Sequence, residues 1–197
     1  MGVPSRNRIF IVVGVVLVLA LAFAGARLMN VPQAETRAAN AWEEMQRQFL
    51  LRAYVTQDVI DALRTVSPAR NDMLEALEEK RQDIILLPLD AKPPHTEEHF
   101  RAYMEKQDEL TAELARVLDM LQFLPEQRTV PPVSTALGRL AQNESRIVVA
   151  RSDYVRAANT YNRLVQTPPA RWFANFVEPT PVPLVTSVES KSQEVGI

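Results

Sequence analysis

Cysteine is absent from all 197 residues. The chain therefore has no disulfide, no thiolate metal site and no lipid-modified cysteine, and its compartment stays open on that ground. Glycine is nearly as scarce: five occur, at positions 2, 14, 25, 138 and 196, so none relaxes the backbone between Gly25 and Gly138. The punctuation in that interval is proline, which suits long helices with abrupt stops. An excess of charge of one sign is missing too. The formal net charge is −2, without the basic footprint of a dedicated nucleic-acid binder. No segment alternates apolar and polar residues with the period of a strand.

One long apolar run stands out. Ile9 to Ala26 carries neither charge nor proline, with Arg6 and Arg8 before it and Arg27 after it. As a helix from Arg8 to Leu28 it spans roughly 30 Å, the thickness of a hydrocarbon core. Ala22-Phe23-Ala24 and Ala24-Gly25-Ala26 have the small-residue form of a leader cleavage site. The run exceeds the roughly 7–15 apolar residues of a cleaved leader, so residues 1–30 are expected to stay as a transmembrane anchor. The two arginines and the α-amine on the N-terminal side tilt that end towards the cytoplasm. The rest of the chain is then extracytoplasmic.

Four helical segments are expected beyond the anchor, each bounded by a breaker. The first starts after Pro32 and ends at Ser67-Pro68, with the seam Trp42, Met45, Phe49, Arg52, Thr56, Val59, Leu63, Val66. Ser67-Pro68 also has the form of an N-cap followed by proline at the first helical position. The second segment runs from there to Leu87, with Leu74, Leu77, Arg81 and Ile84 on its seam; a single helix kinked at Pro68 is the alternative. The third follows Pro93-Pro94, with Thr96 as cap and Glu97 and Glu98 on the positive end of the dipole; Pro125 closes it. The fourth follows Pro131-Pro132 and ends at Pro168-Pro169. Apolar seams at three- and four-residue steps with short connections give an all-α fold: one N-terminal transmembrane helix, then an antiparallel up-down four-helix bundle over residues 31–177. The tail, 178–197, is expected to be extended and then disordered.

Every seam carries a long polar residue near its middle: Arg52, Arg81, Gln107, and Glu144 with Arg151. In an antiparallel bundle these positions lie at similar height and are expected to meet in one polar layer. A lone buried charge costs several kcal/mol, so partners are required, and Glu144 can accept from two guanidiniums. Three arginines against one glutamate suit a small-anion site; a polar layer that fixes helix register is the alternative with more precedent. A third reading lets some arginines snorkel to the edge.

The segment "NESRIVVARSDYVRAANTYNRLVQTPP" resembles the signature of the LemA family, in which an acidic residue, an arginine, an isoleucine, an Ala-Arg pair, a tyrosine and a Tyr-Asn pair recur. Glu144, Arg146, Ile147, Ala150, Arg151, Tyr154, Tyr161 and Asn162 match; Ser145 and Val155 depart from the usual asparagines. "LEALEEKR" is similar to a further family stretch and places Arg81 on a family position. "WEEMQRQFLLRAYVTQDVIDAL" and "LTAELARVLDMLQFLPEQ" stand where related segments fall. The resemblance covers about residues 40–176. It implies a bacterial protein with one N-terminal membrane helix and an antiparallel helical bundle, no established enzymatic activity, and, for some relatives, a role in building magnetosome membranes.

Little else suggests chemistry. "HTEEH", His95 to His99, fits a zinc-hydrolase pattern, but Pro93-Pro94 put His95 at a frayed helix start and no third ligand stands out. In "ARWFANF", Trp172, Phe173 and Phe176 sit beside Arg171 where an even number of helices returns the chain to its anchored end. These aromatics either meet the lipid interface or cap the bundle's own base. Tyr154 and Tyr161 read as core residues, and Glu75, Glu78 and Glu79 as a solvated face. No catalytic, cofactor-binding or metal-binding residue is expected, and no cofactor. The expected partners are the lipid bilayer of a bacterial inner membrane and other proteins or a second copy, not nucleic acid. The function expected is that of a non-enzymatic, single-pass scaffold, with an anion-sensing bundle as the alternative.

Overall fold

The structure, a computed structural model, describes residues 6–66, 71–94, 96–168 and 181–183, with the backbone alone for residues 6–9, 11 and 20–29. Among the described residues five helices follow one another: α1 (Arg6–Val66), α2 (Asn71–Ile85), α3 (Glu97–Gln122), α4 (Pro125–Thr129) and α5 (Pro131–Gln166). No strand occurs among the described residues.

The first departure from expectation is at Pro32. The bundle's first helix does not begin after it; α1 runs through it as one helix of 61 residues. Proline has a φ compatible with a helix, but in the interior it removes one N–H donor and its ring presses on the carbonyl four residues back, at a cost of about 3 kcal/mol. Pro32 lies on an exposed flank of α1. Pro125 also acts differently. α3 ends at Gln122, where the Phe123 N–H bonds to the Met120 carbonyl at 3.1 Å, and Pro125 opens the one-turn helix α4. The prolines at 131 and 132 occupy the first turn of α5, where a missing donor costs nothing. Thr96 caps α3 by accepting from the His99 N–H at 3.3 Å. Ser67-Pro68, the expected cap of the second helix, lies outside the described residues.

Side-chain pairings set the direction of each helix. Trp42 on α1 meets Phe100 on α3 and Tyr154 on α5, and Arg52 reaches Gln107 and Glu144. Numbers rise together on α1 and α3 and fall on α5. Gln46 on α1 bonds to Asp90, beyond the end of α2, so α2 also descends. The bundle is therefore up-down-up-down. α2 is only 15 residues long, and the irregular segment 86–94 takes its place in the lower half, where Pro93 is buried.

The core is divided in two. The upper cluster gathers Ile60, Leu63, Leu74, Leu77, Leu110, Val117, Leu121 and Val133. The lower one gathers Trp42, Met45, Phe49, Phe100, Ile147, Tyr154, Tyr161 and Val165, together with Val182 from the tail. Burial of such side chains contributes about 1.5–3 kcal/mol each and is the main force holding the helices together.

On α5 the buried line is Val133, Ala136, Leu140, Asn143, Ile147, Ala150, Tyr154, Ala158, Tyr161, Val165. This corrects the seam read from sequence, which placed Glu144 and Arg151 in it. From Leu140 a step of three reaches Asn143 and a step of four reaches Glu144. The helix repeat of 3.6 allows both, and the smaller, uncharged side chains took the interior.

Candidate functional site

Two polar constellations are built into the bundle. The first lies where the two apolar clusters meet. Arg52 follows Phe49 of the lower cluster and precedes Ala53 of the upper; Gln107 falls between Met104 and Leu110, and Asn143 between Leu140 and Ile147. Arg52 is almost wholly buried. Its Nη2 donates to the backbone carbonyl and to Oε1 of Gln107, both at 2.9 Å, and its Nη1 donates to Thr111 Oγ1 at 2.9 Å. Glu144 Oε1 stands 3.6 Å from Nη1, with 44% of its side chain open to solvent. Burial lowers the pKa of Arg52, and Glu144 draws it back up. An arginine stays charged under such pressure, so the glutamate supplies a counter-charge without itself being entombed.

Of the five residues expected in this layer, the structure brings together Arg52, Gln107 and Glu144. Arg81 is buried inside the upper cluster, between Leu77 and Ile84, and pairs with Glu78 one turn back on its own helix. Arg151 is half-buried, with no hydrogen bond or ion pair to any described residue. Two members were missed. Thr111 sits one turn beyond Gln107, and Asn143 donates to the carbonyl and to Oε1 of Gln48, each at 3.3 Å. Three buried atoms here, Arg52 Nε, Gln107 Nε2 and Asn143 Oδ1, have no partner among the described residues, which limits what the layer adds to stability. Both terminal nitrogens of the one buried guanidinium in the layer are taken by protein acceptors, so the layer does not present a cluster of free cations.

The second constellation is at the lower end. Asn162, in the last turns of α5, donates from Nδ2 to the Val182 carbonyl at 2.8 Å and accepts from the Val182 N–H at 2.8 Å. Tyr154 donates its hydroxyl to the Pro183 carbonyl at 2.8 Å. The Val182 side chain is 8% exposed and belongs to the lower cluster. The segment expected only to be extended is thus held as a strap on α5 at Pro181–Pro183. Burial raises the pKa of the Tyr154 hydroxyl, which keeps it protonated as a donor. Gln46 uses the same device: it exchanges bonds of 2.7 and 3.0 Å with the carbonyl and N–H of Asp90. In each case a side-chain amide satisfies both backbone groups of one extended residue.

A cleft of about 760 Å³ opens under the 86–94 segment, walled by Trp42, Tyr103, Pro88 and Pro93, with Lys92 and Lys106 at its edge. Lys92 pairs with Glu35, and Lys106 with Asp83 and Glu109. In "HTEEH", His95 lies outside the described residues and His99 is exposed. Among the described residues no three metal-ligating side chains of His, Cys, Asp or Glu are gathered. Trp172, Phe173 and Phe176, expected at the lipid interface or the bundle's base, lie outside the described residues.

Comparison with curated proteins finds no match. The signature residues quoted from α5 nevertheless occupy the places the fold requires: Ile147, Ala150, Tyr154 and Tyr161 face the core, and Asn162 holds the strap. A family model matches residues 41–197, which take in α2 to α5, most of the bundle portion of α1 and the strap, and the chain belongs to the LemA family.

Proposed function

We propose that this protein is a non-enzymatic, single-pass membrane protein that displays a helical bundle for contact with other proteins or for organising the membrane. The observation that carries the reading is on α1. Its large apolar side chains at Phe10, Val12, Val13 and 15–19 are 53–67% exposed and touch neither core cluster. An apolar patch of that extent on a helix calls for a nonpolar environment or a partner. The uncharged run Ile9–Ala26 matches in length the roughly 30 Å of a bilayer core. Among the described residues no helix is long and apolar enough to cross a membrane; the complete run includes residues 20–26, whose side chains are not among those described. The arginines at 6 and 8 favour an N-terminus in the cytoplasm and a bundle on the other side.

The test is extraction. Membranes from cells expressing the full chain are washed with alkaline carbonate, and the bundle's side is read by protease access in intact spheroplasts. Retention in the pellet and digestion from outside are expected. Release into the wash overturns the anchor, and protection in spheroplasts with digestion after lysis overturns the orientation. Crosslinking in cells at native abundance addresses the partner; a chain that stays solitary removes the interaction role.

A further inference from the structure

We propose that the groove formed by Tyr154, Asn162 and the lower core is a peptide-binding site, and that its occupant in an assembly is the Pro181–Pro183 strap of a second copy of this chain. This assignment deepens the anchored-bundle reading and rests on it for one point: tethering in a common plane brings grooves and straps of neighbouring copies to the same height.

Three observations carry it. Recognition is directed at the backbone. Asn162 meets both the N–H and the carbonyl of Val182, and Tyr154 meets the next carbonyl, all at 2.8 Å. Such contacts accept an extended segment whatever chain supplies it. Selectivity comes from one buried side chain, Val182, which joins the cluster of Ala34, Ala38, Tyr161 and Val165. Prolines at 181 and 183 favour the extended form before docking, which lowers the entropic cost of ordering the peptide. The connection is long for the distance it covers. α5 ends at Gln166, yet Val182 returns to Asn162, four residues before that end. The segment from Thr167 to Thr180 therefore has far more reach than the return requires, since each residue can extend by about 3.3–3.6 Å. A connection of that many residues lets identical elements exchange between copies.

Complementation tests it. One full-length chain carries Val182→Asp, which expels its strap and leaves the groove open. Another carries Asn162→Leu, which spoils the groove and leaves the strap free. Both are prepared in detergent with distinct tags, and helical content is checked by circular dichroism. Mixed pairs are expected to co-purify, while neither variant pairs with itself. A labelled peptide of residues 178–186 should bind the Val182→Asp chain about tenfold more tightly than wild type, since a tethered strap competes at millimolar effective concentration. If Val182→Asp does not fold, Val182→Thr replaces it, with a smaller gain expected in both assays.

No pairing of folded variants, whether or not the peptide binds, overturns the second copy as occupant. Equal peptide binding to both chains, or none to the opened one, overturns the groove. Because the assay is done in detergent, its failure leaves the anchor untouched, and failure of carbonate retention leaves the groove chemistry untouched.

Discussion

Arg52 and Gln107 are locked to each other twice: one guanidinium nitrogen of Arg52 reaches both the backbone and the side-chain oxygen of Gln107 at 2.9 Å. The pair joins α1 to α3 at the level where the core is least apolar. Arg52→Ala should destabilise the bundle by about 1–3 kcal/mol, because it strands the neutral Gln107 side chain in the interior without a donor. Arg52→Met combined with Gln107→Leu should fall within about 1 kcal/mol of wild type or above it, since an apolar replacement of a whole buried pair is commonly neutral or better. Urea denaturation followed by circular dichroism checks both. A double variant as weak as the single one would mean that the layer contributes more than a link between two side chains.

Asn143 and Tyr154 make a contrasting pair. Asn143 has two long bonds and an unpartnered oxygen, so Asn143→Leu is expected to leave stability unchanged or raise it by up to about 1 kcal/mol. Tyr154→Phe keeps the ring but loses the 2.8 Å bond to Pro183, at a cost of about 1 kcal/mol. It should also speed amide exchange in the strap. Thermal melts and hydrogen exchange of the two variants, measured side by side, test this ordering.

Trp42 is completely buried, with ring centroids of Phe100, Tyr103 and Tyr154 at 5.8, 5.2 and 5.4 Å. Trp42→Ala should cost about 3–5 kcal/mol. Leu118→Ala, at a side chain 38% exposed on α3, should cost less than about 1 kcal/mol. In a Trp172→Phe background, emission from Trp42 should be blue-shifted and move to the red on unfolding. Emission already at the solvent-exposed wavelength would contradict the lower core.

Acid should weaken the protein through two carboxylates. Arg81 holds Glu78 below its ordinary pKa by hydrogen bonding, and Lys80 does the same, with Lys106, for Glu109 across α2 and α3. A depressed folded pKa contributes stability that is complete above the unfolded value, about 4.3 for glutamate, and is lost as pH falls through the folded value. Lys80 is shifted the other way, upward, chiefly by Glu109, and Lys106 by Asp83 and then Glu109. Their contribution is complete below the unfolded lysine value of about 10.4 and disappears as pH rises through the folded one. Urea midpoints between pH 3 and pH 6 should decline less steeply in Glu78→Gln than in wild type. An identical slope would show that Arg81 gives the carboxylate no advantage.

Much of this arrangement was legible in the residues. The seam of α1 follows from its spacing, and Trp42, Met45, Phe49, Arg52, Thr56, Val59 and Leu63 are all buried. The mid-height position of Arg52, Gln107 and Glu144 followed from the up-down order of the helices. What sequence could not resolve was a one-residue shift on α5, where steps of three and four were both compatible with a helix and the smaller, uncharged Asn143 and Ala150 took the interior in place of Glu144 and Arg151. Arg81 was misplaced in height because α2 is short and packs only on the upper cluster. The strap had no pattern to read, since Asn162 and Tyr154 bind main-chain atoms and main-chain recognition leaves no trace in composition. Its one cue was the Tyr-Asn pair at 161 and 162, which has no reason to recur if it merely fills a core.

The unbroken course of α1 has a mechanical implication. Sixty-one residues in one helix make a shaft of roughly 90 Å, of which the upper part is clamped by its neighbours and the lower part is not. The helix is continuous through Pro32, so a lean of its lower part is passed along the same rod to the bundle. A change of inclination of about ten degrees would sweep the far tip by on the order of 15 Å, by simple leverage over that length. The height and facing of the bundle therefore depend on whatever sets the posture of the lower part of α1.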